Sequence, residues 1–364
     1  MSVKIKFNKR DETDFITTLK ERVNEYFENR KQSKFGDWQM YIKLVFFFGG
    51  LIGIYLLLIA DLFGTVGTLL MWMLLGLFIA FNGFNVAHDA VHGAVSKYPL
   101  LNRIFSYVFN LLGANEYMWK IMHNVIHHTY TNIAGHDEDL EPVSFIRLNT
   151  EKKLKKIHRY QHWYAIFFYS FASLSWVLKK DFDTFFRKKI GNFENKKHPV
   201  HEYFVLFGSK LAYFFVFIAV PMMVLTQAWW LTLIGFFLLH VVEGLSIAIV
   251  FQLAHVVEAA DFPEPAADGT MENAWAIHQV KTTANFARKS FLANWFFGGL
   301  NFQVEHHLFP QICHVHYQKL SVIVKQTAEE FNLRYNEYQT MWGAFRSHLR
   351  MLKRLGREES LSVG

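Results

Sequence analysis

The chain has 364 residues, 52% hydrophobic and 17% aromatic, yet no charged side chain occurs in the 26 residues from Leu62 to Ala87 or in the 32 from Leu211 to Val242. A membrane span needs about 20 apolar residues, so these runs argue against an ordinary soluble domain and against a disordered chain. The single cysteine, Cys313, excludes an internal disulfide framework, a four-cysteine zinc site and an iron–sulfur cluster held by this chain alone, and the net charge of +7 favours anionic headgroups or an acidic partner.

Residues 1–40 are polar, with Lys4, Lys6, Lys9 and Arg10 at the start and no apolar stretch of the signal-peptide kind. Four spans are predicted as two hairpins. The first covers about 41–60 and 62–87, turning near Asp61; the second covers about 203–226 and 229–254, turning near Gln227. Neither turn holds a Lys or Arg: 10 lie in residues 1–43, 16 in 88–202, one is Lys210 and 11 follow His255. The positive-inside rule then places both termini and the central region in the cytoplasm. Lys43 and Lys210, near span ends, are expected to snorkel. Because the basic residues flank apolar segments, nucleic acid is a poor fit as partner. The expected units are a cytoplasmic segment 1–40, a membrane unit 41–340 and a C-terminal tail 341–364.

Between the hairpins, Tyr98–Trp119 and Trp163–Leu178 are expected to be interfacial helices. The latter rises only about 24 Å, short of a core of about 30 Å. Glu258–Gly269, with Pro263 and Pro265, reads as a loop, and 317–355 as amphipathic helices.

Three histidine clusters stand out: His88-Asp-Ala-Val-His92, His123-Asn-Val-Ile-His127-His128 and Gln303-Val-Glu-His306-His307. On an α-helix, residues four apart share a face, so His88 with His92, and His123 with His127, can each present two nitrogens to one point. His128 is expected about 140° round from His123, free for a second metal. All three clusters, and His255, lie just past predicted span ends on one side. Eight imidazoles exceed the four ligands of one zinc and suit two metals with open positions; all-nitrogen ligation fits iron better than magnesium or calcium. His158, His162, His198, His201, His314, His316 and His348 read as ordinary surface or core residues. His240 and Glu243 fall mid-span, one turn apart. They either line a substrate channel or contact each other. Metal transport is a competing class, but its ligands belong near the midplane of the spans.

At these residues the chain resembles the membrane fatty acid desaturases: HDAVH, HNVIHHTYTNIAGHDEDL and NFQVEHHLFP in order, with supporting stretches FQLAHVVE around His255 and QVKTTANF around Thr282. Gln303, where many desaturases have histidine, resembles the front-end subgroup that includes delta-5 and delta-6 enzymes. The resemblance covers about residues 35–340. It implies an all-α membrane protein, a four-span bundle under a helical cytoplasmic cap that holds two irons. It implies His88, His92, His123, His127, His128, His255, His306 and His307 as ligands. Gln303 takes the place of a ninth, ligating by oxygen, acting through water or orienting its neighbours. Asp89, Glu116, Asp137, Asp139, Glu258 and Glu305 are candidates to accept imidazole N–H bonds. A related subgroup has an asparagine holding a water at the position of Phe251. The implied reaction uses dioxygen and two electrons to remove two hydrogens from adjacent methylenes of an acyl chain, as a thioester or on a lipid, leaving a cis double bond. His198-Pro199 is followed by Val200 and does not complete the haem motif of a fused cytochrome b5, and residues 1–40 are too few for such a domain. A separate carrier, ferredoxin or cytochrome b5, is therefore expected. A lipid hydroxylase built on the same histidine boxes is the nearest alternative.

Overall fold

The structure, a computed structural model, describes residues 4–8, 13–140, 144–195 and 197–358. Four of its helices are long and apolar enough to cross a membrane. They are α2 (Trp38–Ile59), α3 (Thr65–Val91), α4 (Val200–Val224) and α5 (Trp229–His255), and α1 (Thr13–Asn29) precedes them. α2 starts where the Asp37 carboxylate accepts the Gln39 N–H, an N-cap. It ends at Asp61, whose φ of +53° reverses the chain. The same Asp61 carboxylate accepts from the Thr226 N–H at 2.9 Å and from its hydroxyl at 2.5 Å. The turns of the two hairpins are thereby latched side by side.

α3 packs between α2 and α5 and is the most enclosed span, with 61% of its apolar window buried against 22% in α4. Backbones approach closely here. A Cβ on Gly76 would collide with the Leu239 carbonyl of α5, and one on Gly235 with the Trp72 indole of α3. The outward faces are apolar, with Val45, Leu56, Phe204, Leu211 and Trp229 exposed, as an element facing lipid requires. The 27 residues of α3 rise about 40 Å, beyond an apolar core of about 30 Å. Its end projects into the cap as a π-turn, Gly83–Ala87, followed by His88–Val91.

The cap is helical. α6 (Trp275–Thr282), α7 (Gln303–Leu308), α8 (Tyr317–Glu330) and α9 (Met341–Leu355) follow α5. Phe15, Leu19 and Val23 of α1 bury against Leu320, Val324 and Ala328 of α8. Met351, Leu352 and Leu355 of α9 enter a cluster with Ile146, Tyr169 and Val256. Residues 341–355 of the expected tail thus pack against the rest of the cap. Among the described residues, sheet is confined to two two-residue pairings, Lys189–Ile190 antiparallel to Phe193–Glu194 and Asn285–Phe286 parallel to Glu337–Tyr338, and one parallel bridge between Lys6 and Thr270.

The segments expected as interfacial helices are broken ones. The first runs Pro99–Ser106, Val108–Leu111 and Glu116–Lys120, interrupted at Gly113, whose φ is +95°. The second runs Gln161–Tyr169 and Ala172–Ser175 and leans on α5 at Gly244, where a Cβ would strike the Ser170 carbonyl. Lys43 and Lys210 do not snorkel. Lys210 Nζ is buried against Asp181 at 2.6 Å and the Gly113 carbonyl at 2.5 Å. Lys43 Nζ is buried against Asn85, Asn294 and His314 at 2.9–3.0 Å. Partners within the fold replace the water each ammonium would otherwise seek.

Candidate metal centre

All eight histidines converge where α3 and α5 end. The end of α3 supplies His88 and His92, the last residue of α5 is His255, and α7 supplies His306 and His307. The second box lies on a π-helical segment, Ile121–His127, with the His128 N–H bonded to the His123 carbonyl. That i→i+5 bond alters the expected pairing. It brings His123 and His128 together, with Nε2 atoms 3.2 Å apart, instead of turning His128 away. His123 and His127 do not share a point. His123 joins His88, His92 and His306, while His127 joins His255 and His307. His128 lies between the groups, its Nε2 3.0 Å from that of His306.

The donor set fits metal ions. Imidazole nitrogens bound at about 2.1 Å to one ion lie about 3.0–3.4 Å from one another. The Nε2 separations of His88–His123, His123–His128 and His128–His306 are 3.2, 3.2 and 3.0 Å. Among the described residues, Nε2 of His92 and of His307 and the amide oxygen of Gln303 are buried without a hydrogen-bond partner. Burial first, then neighbouring imidazoles, holds His92, His123, His128, His306 and His307 well below the usual imidazole range. Rings kept neutral in this way are in the form that ligates. Gln303 donates from Nε2 to the Leu300 carbonyl at 3.0 Å, which leaves its oxygen as the free end.

Outer contacts fix the ring orientations. His127 Nδ1 donates to Asp137 at 3.0 Å and His307 Nδ1 to Gln279 Oε1 at 2.8 Å, leaving the Nε2 lone pairs for a metal. α6 braces the second box through its backbone: the Trp275 indole donates to the His128 carbonyl at 3.0 Å, and His278 Nε2 to that of Thr131 at 2.8 Å. Trp119 lies over His123 with ring centroids 4.2 Å apart. Phe251 meets the same ring edge-on at 5.9 Å and offers no polar atom.

Of the acids expected to accept imidazole N–H bonds, Asp137 does so, and Asp89 accepts from His314 Nδ1 at 2.8 Å with His88 Nδ1 at 3.8 Å. Three others have different partners. Glu116 accepts from Ser106 at 3.1 Å, and Glu258 pairs with Arg350 at 2.6 Å. Glu305, pushed up to about 7 by burial, accepts from Asn285 and Tyr335 at 2.7 and 2.8 Å. Glu305 thus serves the Asn285–Tyr335 junction. The Asp139 side chain lies outside the described residues. His240 and Glu243 sit about 22 and 18 Å along α5 from His255. They contact each other at 3.3 Å, while His240 also meets Ser173 at 2.9 Å and Tyr213 at 3.2 Å. Of the two readings of this pair, mutual contact is the one with atoms in place. His314, read from sequence as ordinary, and Gln279, Trp275 and His278, not singled out, all touch the centre or its supports. The QVKTTANF stretch, which begins at Gln279, was the available signal for Gln279.

A cavity of about 770 Å³ reaches His92 between Lys34, Lys97, Arg103 and Lys120, with Glu116 and Glu202 in its wall. Its volume is that of a small-molecule site. Burial raises the Glu116 carboxyl above its ordinary value, opposed in part by Ser106 and Lys120.

The family described as "Fatty acid desaturase" matches residues 65–339. The chain is similar to an sn-1 linoleoyl-lipid 6-desaturase of Arthrospira platensis, 34% identical over 347 residues, covering 94% of this chain and 92% of that one. It is 34% identical over 359 residues to one of the same name from Synechocystis sp., covering 97% and 98%. It is 33% identical over 348 residues to an acyl-lipid (8-3)-desaturase of Physcomitrium patens, covering 95% and 72%.

Proposed function

The chain belongs to the fatty acid desaturases, and from that premise we propose how its own residues carry the reaction of a front-end acyl-lipid desaturase. His88, His92, His123 and His306 would hold one iron and His127, His255 and His307 the other, with His128 between the two groups and the Gln303 side chain against His255. Two irons held there would supply the oxidising power, drawn from dioxygen, that removal of two hydrogens from adjacent methylenes needs. The single observation that carries the reading is the convergence of eight imidazoles into groups whose donor atoms lie within 4.8 Å of one another, in a chain of this family.

A methylene offers no chemical handle, so the protein's part is positioning. The acyl chain lies between the spans, and the cavity beside His92 takes the polar end of the substrate. Lys34, Lys97, Arg103 and Lys120 face that end. Asp137 and Gln279 keep the Nδ1 protons of His127 and His307 in place so that Nε2 faces inward. The apolar faces of Trp119 and Phe251 shield His123 from water. Both termini lie in the cytoplasm with the cap, where basic residues concentrate. An acidic carrier, ferredoxin or cytochrome b5, docks there to deliver electrons.

The test is expression in a host supplied with defined polyunsaturated lipids. The wild type yields lipids lighter by two hydrogens. His306→Ala yields none and retains fewer irons while still inserting in the membrane. Product heavier by one oxygen would assign hydroxylation, and unchanged turnover in His306→Ala would remove that ligand.

A further inference from the structure

A line of buried side chains runs from Lys43 of the first span to Asp89, beside the first histidine cluster. Lys43 Nζ lies 2.9 Å from Asn85 Oδ1, 3.0 Å from the Asn294 carbonyl and 2.9 Å from His314 Nε2. An ammonium has three hydrogens and no lone pair, so all three contacts are donations and His314 Nε2 must accept. The His314 proton is then on Nδ1, which donates at 2.8 Å to Asp89 Oδ2. The same oxygen accepts the His314 backbone N–H at 3.0 Å. Asp89 adjoins His88 in sequence; its other oxygen lies 3.8 Å from His88 Nδ1, and His88 Nε2 lies 3.2 Å from His123 Nε2. Lys43, His314, Asp89 and His88 are all buried.

The charges along this line are one cation, one neutral imidazole and one anion. A buried ion pair seldom stabilises a fold more than apolar packing of the same shape would, so stability is a weak rationale for it. The line does, however, bring a carboxylate oxygen to 3.8 Å from His88 Nδ1, a buried nitrogen with no hydrogen-bond partner among the described residues, a looser counterpart of the Asp137–His127 contact at 3.0 Å. We propose that Lys43 and His314 are positioning residues that act through Asp89. His314 holds the carboxylate with its other oxygen toward His88 Nδ1, so that the Nε2 lone pair would face the iron, and Lys43, by donating to His314 Nε2, keeps the His314 proton on Nδ1 and aimed at Asp89. This rests on the di-iron reading above.

The experiment measures iron retained per chain by purified, detergent-solubilised protein against a competing chelator, with the absorption spectrum of the bound iron. Thermal unfolding of the metal-free protein is followed alongside. Lys43→Met and His314→Leu are expected to bind one of the two irons about 10–100-fold more weakly and to alter its spectrum. His314→Gln can accept from Lys43 through its carbonyl oxygen and donate to Asp89 through its amide nitrogen, and stays close to wild type. Adding Lys43→Met to Asp89→Asn weakens binding no further than Asp89→Asn alone. Wild-type iron affinity in Lys43→Met and His314→Leu would overturn the proposal, and so would His314→Gln as weak as His314→Leu at equal folded stability. A wild-type protein that binds no iron would overturn the di-iron reading itself, which separates the two failures.

Discussion

His127 shows how a single contact selects a role. Its Nδ1 is committed to Asp137, so Nε2 is the nitrogen presented to His255 and His307. Asp137→Asn can turn its amide N–H toward the ring and favour the other tautomer. The expected result is iron binding weakened by about 10–100-fold at the second group, with the first group unaffected. Iron retained per chain after chelator challenge measures it, and full retention of both irons would count against the assignment. The residue scale also exposes what spacing alone could not deliver. His123, His127 and His128 occupy one short helix, and the allocation of each ring depends on a backbone register that residue identities do not announce. The i→i+5 bond from His128 to His123 decides it. His314 was unreadable for a different reason: its partners, Asp89 and Lys43, lie 225 and 271 residues away.

At the scale of elements, the spans were legible because apolar length is a local property. The predicted ranges 41–60, 62–87, 203–226 and 229–254 have ends within four residues of Trp38–Ile59, Thr65–Val91, Val200–Val224 and Trp229–His255. What the helices do to one another was not legible. Gly76 and Gly235 look like any glycine in an apolar run, yet they are where α3 and α5 approach backbone to backbone. In lipid, where helices gain little from apolar burial alone, such close packing carries the association. Gly76→Val therefore forces the helices apart. It is expected to destabilise the bundle by about 1–3 kcal/mol or more, read as a lower midpoint in thermal unfolding of the solubilised protein. Gly53→Val, on the same kind of helix but with open space around it, should leave the midpoint unchanged.

For the whole molecule, two consequences follow from how the cap is closed. His278 and His348 are both held neutral at about 4 by burial, partly opposed by hydrogen bonds to the carbonyls of Thr131 and Val256. Above the ordinary imidazole value of about 6.5, both folded and unfolded chains keep these rings neutral and there is no effect. As pH falls from 6.5 toward 4, the unfolded chain takes up the protons first, so stability declines. The loss is complete below 4, at about 3 kcal/mol for each ring. Unfolding of the metal-free protein followed across that range should show the decline, and His348→Asn should make it shallower by about one proton. The latch from Asp61 to Thr226 puts the two hairpin turns together, away from the cap. With the basic residues on the cap side, a C-terminal tag should be reachable only after cells are permeabilised, and labelling of intact cells would reverse the orientation.

The sequence alone determined the class of molecule and the inventory of the site: four apolar helices, and eight histidines, seven of them in three boxes and the eighth His255. Both are properties of composition and short spacing, and they survive whatever the rest of the chain does. Tertiary structure decided how the histidines divide between two groups and which acids support them. It also decided that Lys43 and Lys210 turn inward, that Glu116, Glu258 and Glu305 serve other partners, and that 341–355 joins the core. Each of these depends on a buried polar group finding a partner tens to hundreds of residues away, because an unpartnered one is too costly to bury, and sequence separation does not reveal which partner is within reach.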